Sequence, residues 1–145
     1  MTKRTESIII DMVSKTIAPF IQLFALYVIT HGHYSPGGGF QGGALFGASF
    51  LLLRLSLGRD LSESTFPVAL GTPISSLGVF MYALVGVMAL VAGGLYLDYG
   101  ALPWGAVPPA ERRSLGILLI EIAVGIGVAG TLVAIFDDLA GREKK

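Results

Sequence analysis

The stretch Leu115-Gly-Ile-Leu-Leu-Ile-Glu-Ile-Ala-Val-Gly-Ile-Gly-Val-Ala-Gly-Thr-Leu-Val-Ala-Ile-Phe-Asp-Asp-Leu139 decides the fold class. Glu121 is its only charge before Asp137 and Asp138 at the far end. About 20 mostly apolar residues cross the roughly 30 Å of hydrocarbon in a bilayer. The run is too long for a strand and lacks the alternation of a membrane barrel. Three more stretches qualify: Ile8–Thr30, Gly37–Leu57 and Ile74–Leu97. Gly/Pro/Ser-rich breaks separate them at His31–Pro36, Gly58–Pro73 and Asp98–Ser114. The expected fold is an all-α membrane protein, a single domain over residues 1–145 with four transmembrane helices. The N-terminal stretch lacks a small-residue cleavage site, and its apolar run is long enough to span. It therefore reads as a first span and not as a signal peptide.

Composition points the same way. The 145 residues are 53% hydrophobic and 14% charged, with a mean hydropathy of +0.73, whereas a soluble domain carries about a quarter charged residues. Ten Lys+Arg balance ten Asp+Glu, which excludes a basic surface for nucleic acid. Intrinsic disorder is excluded by the hydrophobicity. The absence of Cys removes disulfides, iron–sulfur ligation, thiolate zinc sites and thiol catalysis. No Ser/His/Asp arrangement suits nucleophilic catalysis, and no bound cofactor or resident metal is expected.

Cationic residues set the expected orientation. Lys3, Arg4, Lys15, Arg54, Arg59, Arg142, Lys144 and Lys145 share one side of a four-span chain, while Arg112 and Arg113 fall on the other. Both termini are therefore expected in the cytoplasm. Tyr96, Tyr99 and Trp104 suit the outer aromatic belt.

The second span opens His31-Gly-His-Tyr-Ser-Pro-Gly-Gly-Gly-Phe-Gln-Gly-Gly. Ser35 and Pro36 read as an N-cap followed by a first-turn proline. Gly39, Gly43 and Gly47 recur on one face, where small residues let helix backbones approach closely in lipid. Gly37-x-Gly39-x-x-Gly42 also matches a dinucleotide-binding pattern, but that pattern needs a preceding short strand within a βαβ unit. A P-loop fails too, since no Lys-Ser/Thr follows the glycines.

The fourth span carries its own small-residue stripe: Gly116, Ala123, Gly127, Gly130 and Ala134. Glu121 points away from that stripe. A mid-span acid costs about 2.5–3.5 kcal/mol on insertion scales, so this helix is expected to need protein or water on two sides. Four helices are not expected to supply both, which implies a larger membrane assembly.

Glu121 sits roughly 9 Å into its span at the helical rise. Intramembrane acids are rare and usually line ion paths, and burial would raise the pKa towards neutrality. The alternative is a structural acid hydrogen-bonded to a neighbouring helix. Asp11 and Lys15 are spaced to pair on one helix face, either at the interface or on an ion path. Pro19 is expected to kink the first span. His31 and His33 could relay protons or hold backbone carbonyls in a polar turn. Arg54, on the face of Gly39, Gly43 and Gly47, is expected to snorkel to the headgroups. Asp137 and Asp138 are expected to be solvated.

Ile17-Ala-Pro-Phe20 and the run from Ile29-Thr-His-Gly-His to Phe40-Gln-Gly-Gly43 resemble the signature of the B subunit of Mrp-type, or Mnh-type, multisubunit sodium/proton antiporters. Leu119-Ile-Glu-Ile-Ala-Val-Gly-Ile-Gly-Val-Ala-Gly130 is similar to that family's acid-then-glycine segment. There the acid is commonly Asp; here it is Glu121, and Ala123 stands where Gly is usual. The resemblance covers the four-helix length of the chain. It implies a small plasma-membrane subunit, without catalysis of its own, beside large proton-pumping subunits. The transported species would be sodium or protons, with a transient sodium near Glu121. The same module recurs in membrane-bound hydrogenases and related respiratory complexes, where it is coupled to a redox arm. A structural spacer and a free-standing homo-oligomeric transporter are the other readings.

Overall fold

The computed structural model describes residues 7–32 and 37–142. Within these residues five α-helices follow in order: α1 Ile8–His31, α2 Gly39–Leu57, α3 Arg59–Glu63, α4 Gly71–Val91 and α5 Pro109–Arg142. Single 3₁₀ turns at Val68–Leu70 and Tyr99–Ala101 lie in the connections. All but the short α3 belong to segments long and apolar enough to cross a membrane. Ser35 and Pro36, the expected cap of the second span, lie outside the described residues. The described helix starts at Gly39 with Gly38 as its N-cap.

The spanning helices pack in the order α1, α2, α5, α4. α1 runs antiparallel to α2: Gly42 faces Ala25 and Ile29, and Ala18 meets Leu53 and Leu57. α2 and α5 run parallel. Gly39 packs on Glu121, Gly43 on Gly125, Gly47 on Ala129, and Arg54 pairs with Asp137. α4 lies antiparallel on the other side of α5, with Gly78 against Ala123 and Gly127, Ser75 against Gly130, and Gly71 against Ala134. The start of α1 and the end of α5 thus lie at the same end of the bundle as Arg54.

This arrangement corrects one expectation. The fourth span does need protein on two sides, but α2 and α4 of the same chain supply both. Its Gly127/Gly130/Ala134 stripe faces α4, and its Glu121/Gly125/Ala129 face meets α2. Coverage of this helix therefore carries no argument for a larger assembly.

The third span starts earlier than Ile74 and stops at Val91, short of Leu97. Pro73 fits because the first turn of a helix has no intrahelical acceptor for its N–H groups. The stop is a Schellman turn: Gly94 N–H donates to Ala89 O at 3.0 Å and Gly93 N–H to Leu90 O at 3.0 Å. Gly93 has φ +88 with nothing within 4 Å of where a Cβ would stand. Only conformation requires glycine there. Gly93→Ala is therefore expected to cost about 1–2 kcal/mol, read as a lower melting temperature in detergent. Beyond the turn, Leu102 fills the space against Val85 and Ala89. Arg112 donates to the carbonyls of Gly100 at 3.0 Å and Val107 at 3.1 Å, tying this connection to α5. α1 continues through Pro19 as one helix.

Candidate functional site

Glu121 is half-buried on α5 and sits on glycine. A Cβ on Gly39 would run into the backbone of Glu121 itself. A Cβ on Gly32 would lie 2.5 Å from Glu121 Oε1, and one on Gly38 would lie 3.4 Å from the same oxygen. The carboxylate is thus wedged between the end of α1 and the start of α2. Gly38 has φ +144, a conformation that strains any residue with a Cβ. The first N–H groups of α2 lack intrahelical acceptors, and its positive end favours an anion. The last carbonyls of α1, exposed for the same reason, favour a cation.

His31 closes α1 at this end, but its ring turns back along the helix. It stacks on Tyr27 with ring centroids 4.2 Å apart. Its Nδ1 lies 3.1 Å from the Tyr27 carbonyl oxygen and 3.0 Å from the Thr30 hydroxyl. His33 lies outside the described residues. Asp11 and Lys15 do not join the site: Asp11 is roughly 30 Å along α1 from His31 at the helical rise. Asp11 is buried and Lys15 exposed. Among the described residues no three His, Cys, Asp or Glu side chains converge as for a metal. An apolar groove lined by Leu26, Ile29, Phe46, Phe50, Phe66 and Val133 bears no charge.

The other end of the bundle overturns two expectations. Arg54 does not snorkel and Asp137 is not solvated; they are 1% and 4% exposed. Arg54 Nη2 donates to Asp137 Oδ2 at 3.0 Å and to the Phe66 carbonyl at 2.6 Å, while Nη1 donates to Ser62 Oγ at 3.0 Å. Asp138, one residue on, is exposed. The pair clamps α2, α5 and the connection after α2. Arg54 shares a face with the glycines that pack on α5, so the guanidinium has to face that helix too. That shared face was the available signal. The glycine register hid a second one: Gly125 and Ala129, in line with Glu121, form a small-residue face of α5 that spacing alone left unassigned. In the connection before α5, Tyr99 packs against Gly116. Burial, and then Tyr82, push its phenol above the ordinary 10.0.

Residues 9–134 match the family described as a domain related to the MnhB subunit of Na+/H+ antiporter. The B subunit of the Na+/H+ antiporter of Bacillus subtilis is 27% identical, over 97% of this chain and 98% of that protein. An uncharacterized protein of Methanocaldococcus jannaschii is 37% identical over 80% of this chain. A solved chain of the membrane-bound sulfane sulfur reductase, an archaeal respiratory membrane complex, superposes with a TM-score of 0.77 at 29% identity over 96% of this chain. The match spans 47% of the Methanocaldococcus protein and 60% of the reductase chain. With four membrane-capable segments and residues 9–134 matched, the chain is a multi-pass membrane protein and belongs to the MnhB-related family.

Proposed function

We propose that this chain is a small plasma-membrane subunit of a cation/proton antiporter module, with no catalysis of its own. It helps to form a path for sodium or protons with neighbouring membrane subunits, and Glu121 is the participating acid. The observation that carries this is the seat of Glu121, a carboxylate within an apolar span held between two helix ends. A small cation or proton there meets a carboxylate beside the carbonyl end of α1. Both termini face the cytoplasm, by the bias of Lys and Arg to the end where α1 starts and α5 stops. The family match over residues 9–134 supports the module assignment.

Glu121→Gln keeps the shape and removes the charge. It is expected to lower sodium-dependent transport by at least about tenfold, the scale of losing a positioned proton-transfer group. Assembly of the complex should be unchanged. Equal loss of transport and assembly would make the acid structural, and wild-type transport would leave a spacer subunit. A second reading, the same module coupled to a redox arm, is favoured by the likeness to the reductase chain at 29% identity. Identifying the subunits that co-purify with the tagged chain separates the two parent complexes.

A further inference from the structure

We propose that Gly32 is a positioning residue for Glu121: its bare backbone sets where the carboxylate stands. The proposal deepens the ion-path reading and rests on it for its functional consequence. Gly32 has φ −59 and ψ −31, ordinary helical angles open to any residue. No turn geometry asks for glycine there, so the reason is space.

A Cβ at this position would lie 2.5 Å from Glu121 Oε1, 3.0 Å from Glu121 Cδ and 2.5 Å from Gly38 Cα. Ordinary contact begins at 3.4 Å, so the carboxylate has to move by roughly 1 Å to reach an attractive separation. The backbone of Glu121 has no matching freedom, because Gly39 already packs on it. The displacement therefore falls on the carboxylate and on the turn at Gly38. A shift of that size at a reacting group can cost on the order of a hundredfold in rate.

The test compares Gly32→Ala, Glu121→Asp and the double variant in the intact complex. Glu121→Asp shortens the side chain by one methylene and withdraws the carboxylate from the new methyl. The readouts are sodium-dependent transport, assembly, and covalent labelling of position 121 by a hydrophobic carbodiimide, measured by mass spectrometry. Gly32→Ala is expected to lower transport at least about tenfold and to change the labelling rate at least about threefold, as a misplaced carboxylate requires. Adding Glu121→Asp should restore transport at least about threefold over Gly32→Ala alone. If Gly32→Ala fails to assemble, recovery of assembly in the double variant supports the same conclusion.

Unchanged labelling in Gly32→Ala overturns the proposal. So does a defect that Glu121→Asp fails to relieve, since the fault then lies in the Gly38 turn. If Glu121→Gln transports normally while Gly32→Ala still alters labelling, the ion-path reading falls and the positioning role stands.

Discussion

Gly43→Leu is expected to prevent the chain from folding. A Cβ on Gly43 would stand 2.6 Å from the Gly125 carbonyl oxygen and 2.8 Å from Gly125 Cα. These are backbone atoms of the facing helix and cannot rotate away. The whole leucine side chain would have to enter a contact that leaves no room for one methyl. Overpacking typically costs about 1–3 kcal/mol when side chains can give; with backbone opposed, the cost should exceed about 3 kcal/mol. The expected result is loss of the chain from the membrane fraction and of the complex from size-exclusion profiles. Leu55→Ala on the same helix, where the side chain is 53% exposed, should leave both unchanged. Normal assembly of Gly43→Leu would mean that α2 and α5 are not in close backbone contact. Because Gly125 belongs to the same chain, the defect arises within this subunit and not at a partner surface.

The second large effect concerns the clamp. Arg54→Met leaves Asp137 as an unpaired charge in a nearly dry site, and breaking a buried pair from one side costs about 3–5 kcal/mol. Asp137→Leu alone should be comparably damaging, since Arg54 then keeps only Ser62 and the Phe66 carbonyl. The double variant removes both charges and should regain most of the loss, because apolar replacement of a buried pair is often near neutral. The Phe66 carbonyl stays without its donor, so a deficit of about 1–3 kcal/mol should remain. A double-mutant cycle on stability in detergent checks this, with an expected coupling of at least about 3 kcal/mol, the two single losses less the remaining deficit. Strictly additive losses would mean that the two side chains do not meet.

Much of this protein is legible in its sequence alone. Apolar runs of spanning length, broken by glycine and proline, dictate four membrane helices, because in a bilayer only helices and closed barrels satisfy the backbone's polar groups and these runs lack a barrel's alternation. The Gly39, Gly43, Gly47 spacing told which face of α2 is packed. The Gly127 and Gly130 stripe did the same for α5. Glu121 was legible as the acid out of place in oil.

Which helix meets which face was not legible, since periodicity identifies a face and not its partner. Only the tertiary structure placed α2 and α4 on opposite sides of α5. That placement turned the expected need for outside protein into an internal sandwich. It also joined Arg54 to Asp137, 83 residues apart in the chain, through a parallel register that no local pattern encodes. Gly32, Gly38 and Gly39 belong to the same class: sequence marks them as costly, and only the structure places them against Glu121. Composition and periodicity decide what dissolves in the membrane and which sides are sticky. The meeting of distant backbones decides where a charge can be buried.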